Sequence, residues 1–306
     1  PELIEEFMNS HYVRPIGYAC LATLFILIIA GFATKRTGLS ALGSIAFFLP
    51  TFGHFASYMF FLSGIGILRI VWLPIWAPST QLLKLGDIIY APYMIVTYPL
   101  TLIFSLFGVD ASSPLFNLLR SAQMIHHHLG SFHVDVRVPM AYMLIGLGLL
   151  IFLLGTIAWF YAKFQKRQII NFWLYRHSRH PQYLGWLIWS YGLTLLASFT
   201  PVVRGGTNPG ASLPWLISSL LVICVALMED INTTKKFGET YSKYRDNAPF
   251  MLPLPKFISS AIALPIRILF KKNLPESGKE VAITFLVYAA ILIMLSLPFV
   301  LLNWPH

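Results

Sequence analysis

An all-α, polytopic bundle of transmembrane helices is the fold class that this 306-residue chain predicts, on three observations. Hydrophobic residues make up 57% of it and charged ones only 11%, a balance too apolar for a water-soluble domain. Largely apolar stretches of about 20 residues, the length a helix needs to cross a bilayer, follow one another along the chain. The basic residues gather in the connections beside those stretches. A net charge of +10 placed in that way is expected to serve membrane orientation and contact with anionic lipids, not nucleic acid.

Seven spans are expected. Residues 15–34 form the first and end at Lys35-Arg36. Residues 37–68 are uncharged and too long for one straight crossing; Pro50 and Gly53 mark a bend or turn, and two short crossings here would raise the count to eight. Residues 88–109 contain Pro92 and Pro99, which membrane helices tolerate when neighbours satisfy the freed carbonyls. Residues 138–162 form a clean span in which Gly146, Gly148 and Gly155 offer small faces for close helix contact. Residues 182–203 and 211–228 make a helical hairpin, 257–270 suit a short helix lying in the interface between flanking cations, and 281–304 form the last span, with a break expected at Pro298. Three regions follow: an N-terminal transmembrane extension with a histidine-rich connection (1–137), a core (138–256), and an interfacial helix with a final span (257–306). Cys20 and Cys224 lie in apolar runs and are expected to be small buried hydrophobes, not a disulfide. The acidic start (Glu2, Glu5, Glu6) lacks the basic region of a cleavable signal peptide.

Orientation follows from counting. The connections 163–180 and 229–280 hold fourteen of the 22 Lys and Arg residues, and both lie on one side of the hairpin. The positive-inside rule puts that side in the cytoplasm. The connection carrying His126, His127, His128, His133 and Asp135 then faces the other way. Three consecutive histidines on a helix point in three directions and cannot all bind one metal; one of them with His133 and Asp135 could still do so, but a polar loop is the expected reading and no metal site is assigned. His54, inside an apolar run, is expected to hydrogen-bond a neighbouring helix.

Chemistry concentrates at residues 175–185, Tyr-Arg-His-Ser-Arg-His-Pro-Gln-Tyr-Leu-Gly, where Pro181 is suited to open a helix. Cations at the edge of hydrocarbon are either a flank that snorkels to headgroups or a functional cluster. The hairpin brings this segment beside residues 229–253, which begin with Glu229-Asp230 and carry Tyr241, Tyr244 and Phe250. Cations for a carboxylate, Glu229 for an ammonium and tyrosines for a purine face would suit a zwitterionic, aromatic-containing ligand. A purely structural role, in which an acidic residue pairs with Arg176 or Arg179 to tie the hairpin shut, is the alternative.

Tyr175-Arg176-x-x-Arg179-His180-Pro181-x-Tyr183-x-Gly185, followed by Glu229-Asp230, Phe237-Gly238, Tyr241, Tyr244, Pro249 and Pro253, resembles the two signatures of the isoprenylcysteine carboxyl methyltransferase and phospholipid methyltransferase-like family. The resemblance covers about residues 138–256. It implies an integral membrane enzyme binding S-adenosylmethionine at the cytoplasmic face and methylating a lipophilic acceptor: a prenylcysteine carboxylate, a phospholipid amine or a thiol. It also implies a cofactor pocket formed by Tyr175, Arg179, His180, Tyr183, Gly185, Glu229, Tyr241, Tyr244 and Pro249, with Arg179 on the cofactor carboxylate and Glu229 on its ammonium. His177 and Asp230 are the candidate catalytic bases for an acceptor that arrives protonated. The sequence departs from the pattern where Asp230 replaces a second glutamate, Thr233 a leucine, and Trp173-Leu174 a Gly-Pro. Sterol reductases, which bind NADPH, carry a similar Arg-His-Pro-x-Tyr-x-Gly stretch, but Trp186 stands where an acidic residue would be expected. A non-catalytic subunit of a membrane complex is the third reading.

Overall fold

The computed structural model describes residues 13–48, 80–106, 137–199 and 212–301, and every regular element among them is helical. In chain order these are α1 (Val13–Ala33), α2 (Thr37–Phe48), a 3-10 helix (Thr80–Tyr90), α3 (Ala91–Leu106), α4 (Arg137–Phe164), a 3-10 turn (Trp173–Arg176), α5 (Pro181–Phe199), α6 (Ser212–Phe237), α7 (Glu239–Asn247), α8 (Lys256–Ile262), α9 (Leu264–Phe270) and α10 (Gly278–Leu301). His54, the bend at Pro50 and Gly53, the cluster from His126 to Asp135 and the turn at 204–210 lie outside the described residues.

Among the described residues, four helices are long and apolar enough to cross a membrane: Pro15–Ala33, Arg137–Phe164, Ser212–Phe237 and Gly278–Leu301. Their burial sets their places. The most apolar window of α6 is 72% buried, against 17% for α1 and α4 and 11% for α10, so α6 is the central post and the other three face outward. Most side chains of α4 that point away from the bundle are apolar, as lipid contact requires, among them Met143, Leu150, Leu153 and Ile157. The 19 residues of α5 are more polar, because Gln182, Tyr183, Ser190 and Thr194 interrupt the apolar run.

Local sequence explains where the helices begin and end. Pro181 opens α5, where its missing N–H costs nothing. Pro92 sits in the first turn of α3 for the same reason, and its steric demand on the preceding residue accompanies the change from 3-10 to α geometry at Ala91. Residues 257–270, expected as one short helix, fall in two: α8 ends at Ile262 and α9 starts at Leu264, with Pro265 in its first turn. The break expected at Pro298 is absent; α10 runs through it to Leu301.

Glycine governs the tightest packing, between α4 and α5. A Cβ on Gly148 would come within 2.2 Å of Trp189 N, one on Gly185 within 2.4 Å of Phe152 N, and one on Gly192 within 2.9 Å of Ile145 N. The two backbones therefore touch, the arrangement that small residues at helix interfaces permit. Gly155 packs on Pro181 and Gln182, whereas Gly146 meets nothing and leaves its expected role to its neighbours. Where α2, α5 and α6 meet, Phe48 of α2 lies edge-on to Trp186 of α5 at 5.9 Å, with Val222 of α6 beside them. Ser212 Oγ donates to Asp87 Oδ1 at 2.6 Å and fastens the start of α6 to the 3-10 helix.

Candidate functional site

The site forms where the N-terminus of α5 meets the C-terminal part of α6 and the start of α7. Two backbone acceptors clamp the basic segment to the tyrosine-bearing one. Arg179 N–H donates to Pro249 O at 3.0 Å, and Tyr244 OH donates to Tyr175 O at 2.7 Å. Residues 69 positions apart in sequence are thereby neighbours.

Asp230 is the hub. Its Oδ1 accepts from Tyr241 OH at 2.5 Å and from His180 Nε2 at 3.0 Å, and its Oδ2 lies 2.5 Å from Arg179 Nη1. A carboxylate only accepts, so the His180 proton facing it sits on Nε2. All three partners are buried, as is Asp230 itself. The Arg179–Asp230 contact is a close charge pair without hydrogen-bond alignment: Arg179 Nε, Nη1 and Asp230 Oδ2 have no aligned partner. Phe250 closes this side, 5.5 Å from the Arg179 guanidinium and edge-on to His180 at 5.2 Å.

Glu229, the next residue, faces elsewhere because successive helical positions diverge by about 100°. Its side chain is 36% exposed. Its Oε1 accepts from Tyr183 OH at 2.9 Å and from Thr37 Oγ1 at 3.3 Å, while Oε2 faces His180 Nδ1 across 3.9 Å, beyond hydrogen-bond reach. One acidic residue is thus committed to the scaffold and the other keeps an oxygen available.

The tyrosines outside the spanning helices are held neutral. Burial raises the phenols of Tyr175, Tyr241 and Tyr244 above their ordinary value of 10.0. The Asp230 charge adds to this at Tyr241, and the Arg179 cation opposes it at Tyr241 and Tyr244.

Of the residues singled out from sequence, Arg179, His180, Asp230 and Tyr241 form one network, Tyr183 and Glu229 its more open edge, and Tyr175, Tyr244 and Pro249 the clamp. Two stand apart. Gly185 is pressed against the Phe152 backbone in the α4–α5 crossing, where it serves packing. His177 is exposed at the end of the 3-10 turn and outside the Asp230 network. Sequence reasoning missed Thr37, which reaches Glu229 from α2, 192 positions earlier. A lone threonine between Arg36 and Gly38, just past the end of an expected span, carries no signal of its own.

Two clefts open beside the network. One, about 660 Å³, is bordered by Asn171, Arg176, Lys243, Tyr244 and Asn247; the other, about 550 Å³, by Leu154, Trp173, Leu174, Arg176 and His177. Glu229, Asp230, His180 and Tyr183 line neither.

No family model, curated protein or solved structure matches the chain.

Proposed function

We propose that the chain is an integral membrane methyltransferase that binds S-adenosylmethionine at the Arg179–Glu229 site and transfers its methyl group to a lipophilic acceptor. One observation carries the reading: a buried guanidinium with two unaligned N–H-bearing nitrogens and a half-exposed carboxylate with an available oxygen lie on either side of His180. That charge pattern matches an amino acid zwitterion, whose carboxylate would take Arg179 Nε and whose ammonium would take Glu229 Oε2. Tyr183, Tyr241, Tyr244 and Phe250 supply flat surface for an adenine ring. The resemblance of residues 175–185 and 229–253 to the membrane methyltransferase signatures supports the same ligand.

A sulfonium methyl is already activated, so alignment of donor and acceptor can supply most of the rate. On this reading Asp230 positions Arg179, His180 and Tyr241 and does not itself remove a proton, because Oδ1 accepts from His180 and Tyr241 and Oδ2 is buried against the Arg179 cation. The full set of seven or eight crossings, and a cytoplasmic placement of the site, belong to the same proposal and rest on the distribution of basic residues.

The test is a titration of purified protein with S-adenosylmethionine, and separately with NADPH. Saturable binding of the first, weakened at least tenfold by Glu229→Gln, is expected. Binding of NADPH alone would move the assignment to the reductases, and binding of neither would leave a non-catalytic role.

A further inference from the structure

We infer that the two clefts meeting at Arg176 form a single binding site for an anionic phospholipid taken laterally from the bilayer, independent of the methyl-transfer reading. Arg176 is the residue common to both walls. On one side of it most lining residues are polar, with Asn171, Asn247 and the Lys243 ammonium beside Ile169 and Ala248; on the other most are apolar, with Leu154, Phe172, Trp173 and Leu174 beside His177. A half that carries the Lys243 cation and two amides, joined at a guanidinium to a half rich in aromatic and aliphatic side chains, has the outline of an amphiphile whose head is negative.

The charges agree. Arg176 and Lys243 are exposed, and neither forms an ion pair among the described residues. Glu239 also borders the polar cleft and opposes an anion there, so two cations stand against one carboxylate. A phosphate diester between Arg176 and Lys243 would use the excess; guanidinium and phosphate match in geometry as well as sign.

The position agrees too. Gly155 of α4 lies level with Pro181, so residues 156–164 project past the start of α5 by roughly 13 Å at 1.5 Å per residue. The chain then folds back, and Trp173 stacks on Tyr161 of that projection at 6.1 Å, with rings 18° apart. The apolar cleft therefore runs beside the outward surface of α4, where Leu150, Leu153 and Ile157 are exposed as lipid-facing residues are. Trp173 holds a left-handed backbone (φ 49°), unfavourable for a bulky residue, with 57% of its surface exposed at the rim. An indole at that place suits the boundary between acyl chains and headgroups.

The experiment measures binding of spin-labelled phosphatidylglycerol and phosphatidylcholine to the full chain in detergent micelles, without S-adenosylmethionine. Tighter binding of phosphatidylglycerol is expected, and R176Q/K243Q should remove that preference, a loss of about thirtyfold at roughly fivefold per cation near an anionic headgroup. Trp173→Ala should weaken both lipids, and Lys235→Gln, an exposed cation bordering neither cleft, should change nothing. Equal binding of the two lipids by the unaltered protein would overturn the inference. So would a preference that survives R176Q/K243Q in protein whose helical content and melting are unchanged. Glycerol phosphate binding as tightly as the lipid would equally overturn it, by showing that the apolar half contributes nothing.

Discussion

Replacing Asp230 with alanine tests the geometry of the site apart from any reading of its function. The substitution leaves the Arg179 side chain, 3% exposed, as a buried cation with no counter-charge, and strips His180 and Tyr241 of their acceptor. Breaking a buried pair in this way costs about 3–5 kcal/mol, because the orphaned charge keeps its desolvation penalty. Removing both charges should be far milder, so D230A combined with Arg179→Met should regain most of the loss. Thermal and denaturant unfolding of the purified protein in micelles reads both values. If D230A unfolds within about 0.5 kcal/mol of the parent, as a substitution at an unremarkable surface position does, Asp230 is not the hub described. If the double variant is as unstable as D230A, the cost lies in lost packing and not in the stranded guanidinium.

Gly185→Ala should destabilise the chain by about 1–3 kcal/mol, since its Cβ would meet backbone atoms of Phe152 that cannot rotate away; an unchanged melting point would refute the close crossing. Thr37→Val should lower stability by no more than about 1 kcal/mol but weaken S-adenosylmethionine several-fold in calorimetry, because Glu229 loses one of the two donors that orient it. Thr37→Ser should restore binding, and a valine variant that binds normally would show that α2 takes no part. The raised phenols of Tyr175, Tyr241 and Tyr244 keep their protons in the folded chain where the unfolded chain ionises, so stability should be full below pH 10 and fall as pH rises past it. Their phenolate absorbance should appear together with unfolding; smooth ionisation near pH 10 in a chain that stays folded would contradict their burial.

Apolar stretches of spanning length are visible in any linear reading, and α1, α4, α6 and α10 lie where composition places spans. The meeting of residues 175–185 with 229–250 was also legible, because a hairpin must return its ends to one side. What distinguishes Glu229 from Asp230 was not. The two are adjacent and alike in chemistry, and only the rotation of α6 against α5 and α7 decides which is enclosed. The packing role of Gly185 was hidden for a related reason: a glycine beside a charged motif reads as a ligand contact, and its contact with the Phe152 backbone lies on another helix. The division of 257–270 into α8 and α9 had a visible cause in Pro265, yet Pro298 of the same residue type leaves α10 unbroken, since a proline's effect depends on which neighbours receive the freed carbonyl.

Gly238 joins α6 to α7 with φ 54° and ψ −129°, a conformation closed to residues with a side chain, and a Cβ there would meet no atom within 4 Å. The glycine crossing of α4 and α5, by contrast, is backbone against backbone. The two walls of the site are therefore joined differently: the one bearing Arg179 and His180 is set in height by backbone contact with α4, and the one bearing Tyr241 and Tyr244 turns at Gly238 and is held by hydrogen bonds to Asp230 and to the Tyr175 carbonyl. A side chain at position 238 would force that turn to other backbone angles and carry Tyr241 and Tyr244 away from their partners, without itself touching a polar group of the site.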